Sequence, residues 1–173
     1  MSDALTPPLS PDDHVDGPPD APLELVMYGD FQCPFCTAAQ PILRRVRERL
    51  DGRLRFGFRQ YPLRELHPEA ERAAQASEAA AAQGAFWPMY DALYGLRGRL
   101  RLEDIVAAAA RIGLDAGRMR EGLEAGTYAA AVQEDVESGA ASGVTGTPTF
   151  FTGGVRHAGA YDAQSLIAAL EGR

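Results

Sequence analysis

The chain has 173 residues, enough for one domain with its own hydrophobic core and short for two. Its 46% hydrophobic and 24% charged residues make a soluble composition, and no apolar run approaches the roughly 18 residues that a membrane-spanning helix needs. All 17 basic residues are Arg, which excludes a Walker A lysine, a lysine Schiff base and a lysine general base, and the net charge of −7 argues against a nucleic-acid partner.

Residues 1–22 mix Pro, Asp, Ser and Gly with few large apolar side chains. Such a segment buries too little surface to offset its ordering entropy, so a disordered leader is expected. It has neither the basic start nor the apolar stretch of a secretory signal, and the expected location is the cytoplasm, with no membrane partner. Residues 1–30 carry seven acids and no Arg, whereas residues 41–61 carry seven Arg against Glu48 and Asp51. An acidic leader folded onto a basic face is one reading. The preferred one is a solvated tail and a solvated helix face, because charge runs usually just solvate.

The apolar run Leu23 to Tyr28, closed by Gly29-Asp30, suits a buried parallel strand. A helix begins at Pro34, carries Ile42, Leu43, Val46 and Leu50 at helical spacing, and stops at Asp51-Gly52. Next, Leu54, Phe56 and Phe58 alternate with Arg53, Arg55, Gly57 and Arg59, the period of a strand with one wet face at a sheet edge. These three elements predict a right-handed βαβ unit.

From His67 to about Gly143 the chain reads as successive helices: an Ala-rich one over Glu69 to Gln83, an aromatic one over Phe86 to Arg97, and one with Leu102, Ile105, Val106, Ala109 and Ile112 on one face. Asp115 and Thr127 are expected N-caps for two more. Extended sequence returns at Thr149 to Thr152 and at Val155 to Ala158. Gly153-Gly154 between them supplies the positive φ angles of a tight antiparallel hairpin. Asp162 is expected to cap a closing helix through Leu166, Ile167 and Leu170. The whole predicts an α/β thioredoxin-like fold: a mixed four-stranded sheet in the order 2-1-3-4 within a single domain over 23–172. Its core is 23–61 and 144–172, with an all-helical insertion at about 62–143 between strands 2 and 3.

Both cysteines lie in one C-x-x-C, Cys33-Pro34-Phe35-Cys36, where the first strand gives way to the first helix. Pro34 suits the first helical position, which makes Cys33 the N-cap. There a sulfur meets the free amides of the first turn and the positive end of the helix dipole, so a lowered pKa and a nucleophilic role are expected. Cys36, one turn in, reaches a mixed disulfide at Cys33 and is the expected resolving thiol. A stapling disulfide competes with this reading, but closing so short a loop contributes only about 2 kcal/mol on the chain-entropy account. A zinc site lacks a second ligand pair, since His14, His67 and His157 are scattered, and two inert core cysteines do not account for Pro34 opening a helix at a strand end. No metal or organic cofactor is expected.

Tyr28 to Cys36, Gly143-Val144-Thr145-Gly146-Thr147-Pro148-Thr149-Phe150-Phe151, Phe58 to Leu63 and His67-Pro68 together resemble the DsbA-like thioredoxin-fold thiol–disulfide oxidoreductases, in the cytosolic branch without a signal peptide. The resemblance covers about residues 23–172. It implies a cis-proline at Pro148 facing the cysteines, with Thr147 pairing its backbone to a bound peptide, and support of the site by Pro34 and Phe35. It also implies exchange with protein or small-molecule thiols and disulfides, and recycling by a reductase or glutathione. The alternatives are a glutathione-dependent reductase and a redox-sensing or chaperone-like peptide-binding module without turnover. Two departures stand out. Met27 occupies the position of the family's buried acid, leaving water or Asp30 to take the proton of Cys36, and Phe35 replaces a histidine beside the thiolate. His67 and His157 are expected to be structural, and the aromatics Phe86, Trp87, Tyr90 and Tyr94 to pack the insertion onto the core.

Overall fold

The computed structural model describes residues 3–172. Strand β1 is His14–Asp16, β2 is Leu23–Gly29, helix α1 is Pro34–Arg49 and β3 is Leu54–Gln60. Five helices follow: α2 Ala70–Ala81, α3 Phe86–Gly95, α4 Leu102–Arg111, α5 Ala116–Ala125 and α6 Ala129–Ala141. The chain closes with β4 Thr149–Thr152, β5 Val155–Arg156 and α7 Ala163–Glu171. The sheet order is β1-β3-β2-β4-β5. β2 and β3 run parallel, with Met27 opposite Phe58, while β2 and β4 run antiparallel, with Met27 opposite Phe150.

The four expected strands are neighbours in the expected order, and a fifth, β1, lies outside β3. This corrects two expectations. β3 is not a sheet edge, and residues 3–22 are not a disordered leader; Met1 and Ser2 lie outside the described residues. The reason lies in pairwise burial that composition averages away. Leu5 is buried with Val26, Tyr28, Val144 and Phe151 on one face of the sheet, and Leu9 packs against that cluster. Gly57 of β3 makes room for it, since a Cβ there would stand 2.6 Å from Leu9 Cδ1.

Charge completes the strap. Arg59, expected on a wet face, is only 2% exposed. Its Nε and Nη2 donate to the Asp13 carboxylate at 2.7 and 3.0 Å, Nη1 to Pro7 O at 2.9 Å and Tyr28 Oη at 3.0 Å, and Nη2 also to Pro8 O at 3.2 Å. All five guanidinium N–H groups thus have an acceptor. Arg47 of α1 bonds Asp16, and His14 stacks on Phe86 at 3.6 Å while pairing with Glu78 at 2.9 Å. The acidic segment therefore lies on the basic face rather than in solvent.

The opposite face of the sheet carries the larger core. Leu25 and Met27 of β2 and Phe56 and Phe58 of β3 meet Ala39, Leu43 and Val46 of α1, the aromatics of α3, and Leu166 and Leu170 of α7. Phe86, Tyr90 and Tyr94 are buried there, with Tyr90 5.0 Å from Phe58 edge to face. Asp115 and Asp162 cap α5 and α7 by accepting from the N–H groups of Arg118 and Ser165. Thr127 is not a cap: Tyr128 holds that position for α6, and Thr127 donates its N–H to Gly122 O at 3.0 Å. Gly153 and Gly154 have φ of 55° and 76°, the conformation that turns β4 into β5.

Candidate active site

The end of β2 delivers the chain through Asp30 to Cys33, which stands at the N-cap of α1 with φ −68° and ψ 121°, and Pro34 opens the helix. Extended backbone at the N-cap leaves the first amides of the helix aimed at the Cys33 side chain. Thr37 donates its N–H to Cys33 O at 3.1 Å, the first helical bond. Cys33 is 2% exposed and Cys36 is 0% exposed, and no disulfide joins them.

The two sulfurs are displaced in opposite directions. Cys33 is lowered to about 5, chiefly because the Cys36 thiol donates to its sulfur; burial opposes this, and the amides of Cys36 and Phe35 assist it. Burial pushes Cys36 far above the ordinary thiol range, and the neighbouring Cys33 sulfur adds to the rise. A helix N-cap and a buried position in the first turn thus split one dipeptide-spaced pair into an anion and a protonated donor.

The segment before β4 closes the site from the other side. Thr147–Pro148 is a cis peptide, and Cys33 Sγ lies 3.5 Å from Thr147 O, to which it donates only while it carries its proton. The Phe35 side chain is 64% exposed at the rim, so it contributes apolar surface, and only the Phe35 amide reaches the sulfur. Met27 is fully buried among core side chains. Asp30 is buried, its Oδ1 accepting from the N–H groups of Gln32 at 2.7 Å and Cys33 at 3.2 Å, and its Oδ2 from that of Leu63 at 2.9 Å.

His67, expected to be structural, meets Asp30 Oδ2 through Nδ1 at 2.7 Å and so stands beside the loop that carries Cys33. The only sequence signal for this pair was an acid just past a strand end followed, one crossover later, by a histidine before a proline. His157 lies elsewhere, bonding Ala160 O at 2.7 Å within its own loop. Among the described residues no group of three or more His, Cys, Asp or Glu side chains is placed to hold a metal ion, and no helix is long and apolar enough to cross a membrane.

Residues 9–172 match the family model described as Thioredoxin. Among curated relatives, the Na(+)/H(+) antiporter NhaA 1 of Salinispora arenicola is 45% identical over 164 residues, which cover 94% of this chain and 25% of that protein. The chain spans about a quarter of the length of the curated relatives it matches. Among solved structures, BdbD from Bacillus subtilis superposes with a TM-score of 0.85 at 21% identity, covering 92% of this chain and 91% of that one. Alpha-DsbA1 from Wolbachia pipientis gives 0.79 at 20% identity, covering 95% and 93%. The fold is the DsbA-like variant of the thioredoxin architecture, as the sequence resemblance implied.

Proposed function

The chain belongs to the thioredoxin family, and from that premise we propose that it exchanges disulfides with protein or small-molecule thiols through Cys33 and Cys36. Cys33 attacks and Cys36 resolves. The observation that carries this reading is the opposite displacement of the two thiols, Cys33 to about 5 and Cys36 upward. At neutral pH the first sulfur is the nucleophilic thiolate. The second keeps its proton until Cys33 enters a mixed disulfide. Burial still holds Cys36 up, but the anionic neighbour that adds to the rise is then gone, and Cys36 gives its proton to water as its sulfur attacks Cys33 Sγ. The Cys33–Cys36 disulfide forms, the mixed disulfide breaks, and the electron pair leaves on the substrate sulfur.

Stabilising the Cys33 thiolate stabilises the dithiol form, which makes the disulfide form the stronger oxidant. The proposed direction is therefore acceptance of electrons from substrate dithiols. Equilibration with glutathione buffers tests it: a potential above about −180 mV is expected, whereas one near the −270 mV of a reducing thioredoxin would reverse the direction.

The 45% identity to part of a Na(+)/H(+) antiporter favours a second reading of the partner, a membrane transporter of that kind whose thiols this module would oxidise or reduce. Cys36→Ser holds mixed disulfides at Cys33, so mass spectrometry of the trapped species separates the readings. Transporter peptides on Cys33 support the second, and soluble thiols alone support the first.

A further inference from the structure

The Asp30 carboxylate bridges two segments that meet beside the cysteines. From the β2–α1 loop it takes the N–H groups of Gln32 and Cys33, and from the crossover after β3 it takes the N–H of Leu63 and the ring of His67 at 2.7 Å. The Gln32 side chain adds a second tie, its Oε1 accepting the Glu69 N–H at 2.8 Å. His67 therefore stands against the loop that carries the nucleophilic sulfur.

A carboxylate that already takes three backbone N–H groups acts as an acceptor, so the hydrogen of its contact with His67 sits on Nδ1. That bond fixes the imidazole and leaves Nε2 as its unengaged ring nitrogen. Among the described residues no group hydrogen-bonds Nε2, and the side chain is 18% exposed. Of the charged groups nearby in sequence, Arg64 pairs with Glu71 and Arg72 with Glu69, and the ring's own ionic partner is Asp30.

We propose that His67 is the acid–base group for the substrate sulfur in exchange at Cys33, with Asp30 as its positioning residue; this rests on the exchange reading above. When the Cys33 thiolate attacks a disulfide RS–SR′, a bond forms between Cys33 Sγ and the RS sulfur. The substrate S–S bond breaks and its electron pair leaves on R′S⁻. The imidazolium gives its Nε2 proton to R′S⁻, which departs as R′SH, and the neutral ring takes a proton back from water. In the opposite direction neutral Nε2 removes the proton of an incoming thiol as that sulfur attacks Cys33 Sγ of the Cys33–Cys36 disulfide; the new S–S bond forms, the Cys33–Cys36 bond breaks, and its electron pair leaves on Cys36, which takes up a proton from water.

An acid that serves the leaving sulfur matters in proportion to how basic that sulfur is. The test is single-turnover reduction, by the reduced full chain, of glutathione disulfide, whose leaving group is an alkyl thiolate, and of 5,5′-dithiobis(2-nitrobenzoate), whose leaving group is a weakly basic aryl thiolate. His67→Asn keeps an N–H where Nδ1–H stood and removes Nε2. It is expected to slow the alkyl reaction about tenfold, below the usual contribution of a proton-transfer group because thiolates are only moderately basic, and the aryl reaction less than about twofold. Imidazole added to His67→Gly is expected to restore the alkyl rate alone, and because rescue compares one protein with itself it stands even where the substitution lowers stability. Equal slowing of both reactions, no slowing of either, or a failure of rescue would overturn the assignment. A wild-type chain inert toward both disulfides would overturn the exchange reading, and this one with it.

Discussion

Arg59 and Cys36 are both fully enclosed, yet their surroundings are built on opposite principles. Around Arg59 every N–H finds an oxygen, and those oxygens come from Asp13, Pro7, Pro8 and Tyr28, three of them in the N-terminal strap. At the cysteine end, the Tyr94 hydroxyl on α3 is buried with no hydrogen-bond partner among the described residues, and the buried Thr147 and Tyr90 hydroxyls find none within full hydrogen-bond geometry. An orphan of this kind costs about 1–3 kcal/mol. Burial also holds both phenols above their ordinary range, so they stay neutral beside the sulfurs. The strap cluster fixes chain to sheet by complete satisfaction, whereas the cysteine end keeps a neutral, water-poor wall against a thiolate and accepts a loss of stability there.

If that contrast is right, the two regions fail differently. The largest effect is at the cysteines: Cys33→Ser abolishes reduction of insulin disulfides, while Cys36→Ser retains attack and accumulates mixed disulfides visible on non-reducing gels. Residual turnover in Cys33→Ser would break the assignment of roles. In the strap, Asp13→Ala leaves the Arg59 guanidinium buried without its counter-ion, and urea unfolding is expected to show a loss of about 3 kcal/mol or more, with the Cys33 titration unmoved.

The same pair has a pH signature. Burial raises the Asp13 carboxyl, but Arg59 and Ser10 outweigh it, leaving the group below its ordinary value. A lowered carboxylate contributes stability in full above its unfolded pKa of about 3.9 and loses it as the pH falls through the folded value. Wild type should therefore lose stability below about pH 4 with a component that Asp13→Ala lacks. The smallest effect sharpens the cysteine end: Phe35→His sets a donor or cation beside the thiolate and is expected to raise the potential by about 30 mV, which corresponds to about 1.4 kcal/mol. An unchanged potential would show that the dipeptide does not tune this pair.

What the sequence made legible is local. The C-x-x-C at a strand–helix junction, the two-glycine hairpin and the order of four of the five strands each follow from short local patterns. What it hid is non-local. Leu5 and Leu9 are isolated apolar residues in a Pro- and Asp-rich stretch, and nothing beside them reveals that Gly57 leaves a space for one of them. Arg59 alternates with phenylalanines as a solvent-facing residue would, and its carboxylate partner is 46 positions away. Asp30 and His67 are 37 apart, so the pair becomes visible only once the crossover is folded back onto the loop before α1.

The measurement that tests the central claim most directly is the pH dependence of alkylation of each cysteine in the reduced chain, read by mass spectrometry after brief exposure to iodoacetamide. A Cys33 midpoint at about 5 is expected, with Cys36 unmodified across the neutral range. A Cys33 midpoint near the ordinary thiol value of about 8.5, or equal modification of the two sulfurs, would contradict the account.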